Sequence, residues 1–262
     1  MNLLSGGLVP LEGFVAPGIK DFQFEGLWGT DWLTKPMLQL VVAGIVVAVF
    51  FLVVSRNLKV VPGKLQFSAE YLYNFIRNGV AREIIGPDYR KYSPYLVSVF
   101  FFVLLNNWFG EFFFFMFPSF ANVGYAYGIA LLSVAVFVGA GIQKHGFKYA
   151  KVALIPPGTP LILATIISPI EILSNFFTRP LTLAIRLFAN MFAGHLAVLV
   201  FVVGGAFLLT YPNNLIFNLS GAFSLFGGVV MCLLELFLGG LQAYIFTILN
   251  AQYISTSIAE SH

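Results

Sequence analysis

Residues 36–55 read PMLQLVVAGIVVAVFFLVVS, twenty positions with no charge and no dyad alternation. A run of that length matches the hydrocarbon thickness of a bilayer as a helix, and the lack of alternation argues against a strand of a membrane barrel. The surrounding composition agrees: 59% of the 262 residues are hydrophobic, only 10% are charged, and 30 are phenylalanine. A mean hydropathy of +0.89 is foreign to a water-soluble domain. The sequence therefore predicts an all-α polytopic membrane protein with about five membrane-embedded helices and one amphipathic surface helix.

Working outward from residues 36–55, the segment 1–35 precedes the first span and is expected to be extramembrane. Its start, MNLLSGGLVPLEGF, lacks a basic n-region and a continuous apolar h-region, so no cleavable secretory signal is expected. After the first span, LQFSAEYLYNFIRNGVAREIIG (65–86) is helix-length but carries Glu70, Arg77, Arg82 and Glu83, which predicts a helix lying on the surface. Further spans are expected over 94–117 and 122–142, separated by PSFANVG. The prolines of PPGTP (156–160) break the chain, and two long apolar stretches follow, about 161–209 and 215–258, separated by TYPNN. Helices of that length reach about 60 Å, twice the hydrocarbon thickness, so they are broken or steeply tilted. Residues 36–262 thus read as one membrane domain.

Charge orients these helices. Arg56, Lys59, Lys64, Arg77, Arg82, Arg90, Lys91, Lys144, Lys148 and Lys151 fall on one side of this layout, and only Lys20 and Lys35 on the other. The positive-inside rule makes the first side cytoplasmic, with the N-terminus outside and the C-terminus inside. The net charge of +3 is spread without a basic stripe, which gives nucleic-acid binding no support. Cys232 is the single cysteine, so an intrachain disulfide is excluded and it reads as a buried thiol.

Ionisable groups inside such segments are costly and mark function by default. Glu171, Arg186, His195 and Glu235 are the strong cases; Glu111, near the outer end of its span, reads more weakly because it could reach the headgroups. At 100° per residue, Glu235 and Gln242 share a helix face with Gly239 between them. Thr182, Ala189, Asn190 and Ala193 line the face of Arg186, and small residues there permit close approach of another helix. His195 points to the opposite face, about 13 Å further along the axis, and is no direct partner of the arginine. Arg179, beside Pro180, reads as a snorkelling anchor. A lone histidine carries both a packed-core and a titratable reading. Arginine, which stays protonated, is a permanent positive barrier and holds an approaching carboxylate ionised.

RLFANMFAGHL (186–196), preceded by PIEILSNFFTRPLTLAI and followed by LELFLGGLQAYIFTILNAQYI (234–254), resembles subunit a of the F-type ATP synthase, bacterial type. The resemblance implies a stator subunit in the plasma membrane beside a ring of c subunits, with b-type peripheral stalk subunits and the rest of the F1Fo complex as partners. H+ is expected as the transported ion, with Na+ left open because the ring's carboxylate environment decides it, and no cofactor or metal is expected. By the same resemblance Arg186 faces the ring carboxylates. Asn190, His195, Glu235 and Gln242 belong to the outer half-channel, Glu171 to the cytoplasmic one, and Thr182 to a hydroxyl position one turn before the arginine. Some members carry Glu and His exchanged relative to His195 and Glu235. No Gly-x-x-x-x-Gly-Lys phosphate loop occurs, so ATP chemistry is expected in partner subunits rather than in this chain. The rival reading is a proton-coupled secondary transporter, which would show repeated halves; the Arg186 region has no second copy.

Overall fold

The structure is a computed structural model that describes residues 16–18, 22, 26, 33–56, 58–111, 117–146, 149, 161–211 and 215–259. Among these, every regular element is helical. The segment PPGTP and most of residues 1–35 lie outside the described residues.

Helix α1 (Lys35–Arg56) buries only Pro36, Gln39, Ala43 and Val47, one stripe at helical spacing. That stripe packs on α4 (Tyr89–Phe109), and the rest of α1 is exposed aliphatic surface suited to lipid. Four helical stretches are long and apolar enough to cross a membrane: Lys35–Arg56, Val123–His145, Ile167–Thr210 and Leu215–Ile258. The fifth, α4, has 21 residues and so spans about 31 Å, but Asn106 and Asn107 near its C-terminus dilute its apolarity. It stops at Phe109, because a turn at Gly110 brings the chain back against Pro118. A Cβ on Gly110 would stand 2.9 Å from that of Pro118.

Between α1 and α4 runs α2 (Lys64–Ile76), extended by a π-helical segment (Arg77–Arg82) and by α3 (Glu83–Ile85). Gly86, at φ 75°, ends this run in a conformation that L side chains rarely adopt. Ile76, Val80, Ala81 and Ile85 are buried against α4 and the last helix, so the segment is docked by one face while Leu65, Phe67 and Tyr71 stay exposed.

Helix α5 (Val123–His145) starts with Asn122 accepting from the Gly124 amide, a side-chain N-cap. At the end of the bundle where α1 and α5 finish, Lys144 Nζ meets Asp88 Oδ2 at 2.8 Å. Then come α6 (Leu161–Leu173), a π-helical segment (Ser174–Thr178), α7 (Arg179–Thr210) and α8 (Leu215–Ile258). The π segment sits immediately before Arg179-Pro180. A proline removes a backbone donor and its ring collides with the carbonyl four residues back, and a wider turn relieves both. The long apolar stretch therefore stays helical from 161 to 210, with a change of phase in place of a break.

With 44 residues, α8 is about 66 Å long, and only steep inclination keeps it in a bilayer about 30 Å thick. It runs antiparallel to α7 along a seam of glycines. A Cβ on Gly221 would lie 2.7 Å from Leu209 N and 2.8 Å from Gly205 O, while Gly227 and Gly228 face Phe201 and Val202. Backbones meet at this distance only where no side chain intervenes. Helices α4 and α5 pack across this hairpin and close the core around Leu96, Val103, Leu187, Met191 and Phe246.

Candidate functional site: a buried carboxylate and histidine cluster

Midway along the hairpin a further close glycine contact places a charge. Gly194 on α7 faces Glu235 on α8 so closely that a Cβ there would lie 2.7 Å from Glu235 Oε1. The carboxylate lies against helix backbone in a side chain's place, and the residue is 3% exposed. His195, next along α7, points into the same space. The turn after α4 delivers Glu111 from a third side, its amide donating to Trp108 O at 3.0 Å.

One ligand atom from each of Glu111, His195 and Glu235 lies within 4.8 Å of the others. His195 Nδ1 and Glu111 Oε1 are 3.8 Å apart, with side chains 10% and 5% exposed. That spacing exceeds a direct hydrogen bond and suits a bridging water. The rings of Phe22 and Phe117 stand edge-on to the imidazole at 5.9 and 6.0 Å, walling the cluster with apolar surface. Among the described residues, both Glu235 oxygens and His195 Nδ1 have no hydrogen-bond partner. Three titratable groups in an apolar shell, two of them with open valences, can hold, share and pass on a proton. A ring nitrogen and two carboxylate oxygens are also a donor set that a divalent cation accepts.

The α4 end clamps α8 beside this cluster. Asn107 Nδ2 donates to Gly239 O at 2.9 Å, and Trp108 Nε1 to Leu236 O at 3.1 Å. Gly239 makes the first contact possible, since a Cβ there would lie 3.2 Å from that of Asn107. Two turns of α8 beyond Glu235, Gln242 is buried on the same face, and its Nε2 finds no acceptor among the described residues. About two turns further along α8, Tyr95 donates to Asn250 Oδ1 at 3.1 Å and contacts Ser133 at 3.4 Å.

Arg186 sits on the other side of α7. It is exposed, with Leu181, Thr182, Ile185 and Ala189 exposed around it and Asn190 half-buried beside it. Among the described residues no carboxylate pairs with it. Thr182 spends its hydroxyl on the π turn, donating to Thr178 O at 2.8 Å and Arg179 O at 3.1 Å. Glu171 is half-buried on α6, accepts from Asn175 Nδ2 at 3.3 Å, and lies about 22 Å from Arg186 along the helix.

Glu235 and His195 thus come together and Gln242 lies below them, while Arg186, Asn190 and Thr182 share an outward face and Glu171 stands apart. Glu111 points inward to His195, where the sequence left a headgroup role open. Asn107 and Trp108 went unnoticed; the only sequence sign of them is the polar NNW at the end of an apolar run.

A family model described as ATP synthase A chain matches residues 37–255, most of the chain and nearly all of the helices just described. The chain belongs to this family. Curated relatives agree along nearly the whole length. An ATP synthase subunit a of a Nocardioides species is 43% identical over 264 residues, covering 96% of this chain and 95% of the relative. The ATP synthase subunit a of Paenarthrobacter aurescens is 43% identical over 254 residues, with 95% of each covered. That of Rhodococcus erythropolis is 34% identical over 272 residues, covering 99% and 96%. The ATP synthase A chain family and the membrane-length helices together make this chain a multi-pass membrane component of an ATP synthase.

Proposed function

We propose that the chain is the proton-translocating stator subunit of an F-type ATP synthase and contributes two half-channels to a rotating c-ring. Protons reach the outer inlet at Glu111, His195 and Glu235, move inward along the Gln242 and Asn190 level, and neutralise a ring carboxylate arriving at the Arg186 face. After rotation they leave by a path near Glu171 to the cytoplasmic side. The chain performs no catalysis on its own; ATP chemistry resides in partner subunits, which include the ring, b-type stalk subunits and the rest of the complex.

One observation carries this reading: a titratable cluster is buried on one side of α7, and a permanently charged arginine is presented outward on the other. A proton carrier that pauses beside the guanidinium stays ionised, so it releases its proton before it passes. Leakage past Arg186 would waste about 2.3 kcal/mol per proton at 100 mV.

Arg186→Ala tests the proposal in a reconstituted complex. ATP synthesis driven by an imposed proton gradient should fall to background while the isolated catalytic sector keeps hydrolysing ATP. Synthesis at the normal rate would refute the central claim. The rival carrier is separated by mild detergent extraction: a ring of small hairpin subunits should come with this chain, whereas a secondary transporter would emerge alone.

A further inference from the structure

The C-terminal end of α1 and the second half of α2, with Arg77 just beyond it, line a cleft of about 600 Å³ that the proton path does not use. Apolar lining comes from Phe51, Leu52 and Val54 on α1 and from Leu58 just after it. Polar lining on the opposite helix comes from Glu70, Asn74 and Arg77. Arg77 is half-buried and, among the described residues, has no carboxylate within ion-pair distance. Its guanidinium instead sits over the rings of Tyr89 and Tyr73, at 5.7 and 6.0 Å. That arrangement holds the cation against two aromatic rings, where it can also meet an anion.

The surroundings favour the same kind of ligand. In the turn between the helices, Leu58, Val60 and Val61 are exposed by 64%, 102% and 82%, next to the exposed cations Arg56, Lys59 and Lys64. Exposed aliphatics interleaved with basic residues are an interfacial pattern, the former entering the acyl boundary and the latter meeting anionic phosphates. Glu70 is the one acid of the cleft. Gln66 Nε2 donates to its Oε1 at 2.7 Å and to Lys59 O at 3.0 Å, which ties the carboxylate to the turn. A headgroup hydroxyl can donate to that carboxylate; a second phosphate could not lie against it.

We propose that this cleft holds one anionic phospholipid with a hydroxyl-bearing headgroup. The phosphate lies on Arg77 and Asn74, a headgroup hydroxyl reaches Glu70, and the acyl chains run along Phe51, Leu52 and Leu58. The lipid completes the joint between α1 and α2.

The test places the full-length chain in nanodiscs of equal phosphatidylglycerol and phosphatidylcholine and measures retained lipid by native mass spectrometry. One phosphatidylglycerol should be retained with about fivefold preference, the advantage expected of one well-placed cation near a phosphate. Arg77→Gln should abolish the preference, while Arg82→Gln, which removes an exposed cation outside the cleft, should leave it. A second arm needs no variant: phosphatidylglycerol with a photoreactive headgroup should label the unaltered chain within residues 65–77. Equal retention of the two lipids, equal loss in both variants, or label scattered over every loop of the inner end would each overturn the proposal.

Discussion

At the scale of single residues, the site depends on an absent side chain. Gly194 leaves the volume that the Glu235 carboxylate fills, and neither residue alone signals that fit. Alanine is a better helix former than glycine by about 1 kcal/mol, so Gly194→Ala should leave α7 as stable as before. Its methyl group would nonetheless stand 2.7 Å from Glu235 Oε1 and push the carboxylate away from His195. A displacement of about 1 Å in a positioned group costs up to a hundredfold in rate, so passive proton conduction through the membrane sector should fall at least about tenfold with assembly intact. Proton flux into vesicles stripped of the catalytic sector measures this, and an unchanged flux would remove Glu235 from the relay. The opposition of buried His195 and exposed Arg186 was legible from helix period alone, since nine residues turn a helix by half a revolution. The inward aim of Glu111 was not. It depends on the packing of Gly110 on Pro118, a contact between segments that no periodicity encodes.

At the scale of elements, the α7–α8 hairpin is held by close backbone approach. Gly221→Leu would thrust a branched side chain into Leu209 N and Gly205 O, backbone atoms that cannot swing aside. Overpacking of that kind costs about 1–3 kcal/mol, and the backbone here puts the cost at the upper end. Thermal unfolding in detergent should show a lowered midpoint for Gly221→Leu and little change for Gly204→Leu, because a Cβ on Gly204 meets nothing within 4 Å. Equal effects from both would mean that the seam is incidental. Hydropathy delimits the long helices because their length is written in apolar runs. The π segment before Arg179 escaped the sequence reading, because a proline in an apolar run announces a disturbance without saying whether the helix kinks, stops or widens.

For the whole molecule, the fold class followed from composition and run length, since a chain this apolar has few solutions other than packed helices in lipid. The orientation rests on the lysine and arginine asymmetry and makes a definite prediction. With Cys232 replaced by serine, a cysteine at Lys64 or Lys144 should react with an impermeant maleimide only from the cytoplasmic face. A cysteine at Thr34 or Asn122 should react only from outside. Labelling with the opposite sidedness would invert the assignment of both inlets.

The glycine seam has a mechanical corollary. It zips the hairpin near its turn, whereas at the far end side chains space the helices, with Arg179 resting on the Tyr253 ring at 4.9 Å. Relative motion of α7 and α8 is then a scissoring pivoted near Gly221. Glu235 lies about 21 Å from that pivot along the helix and Tyr253 about 48 Å, so any opening is more than twice as large at the far end. A sideways load on the far ends would be absorbed there as compliance, while the proton-handling cluster, close to the fulcrum, keeps its register.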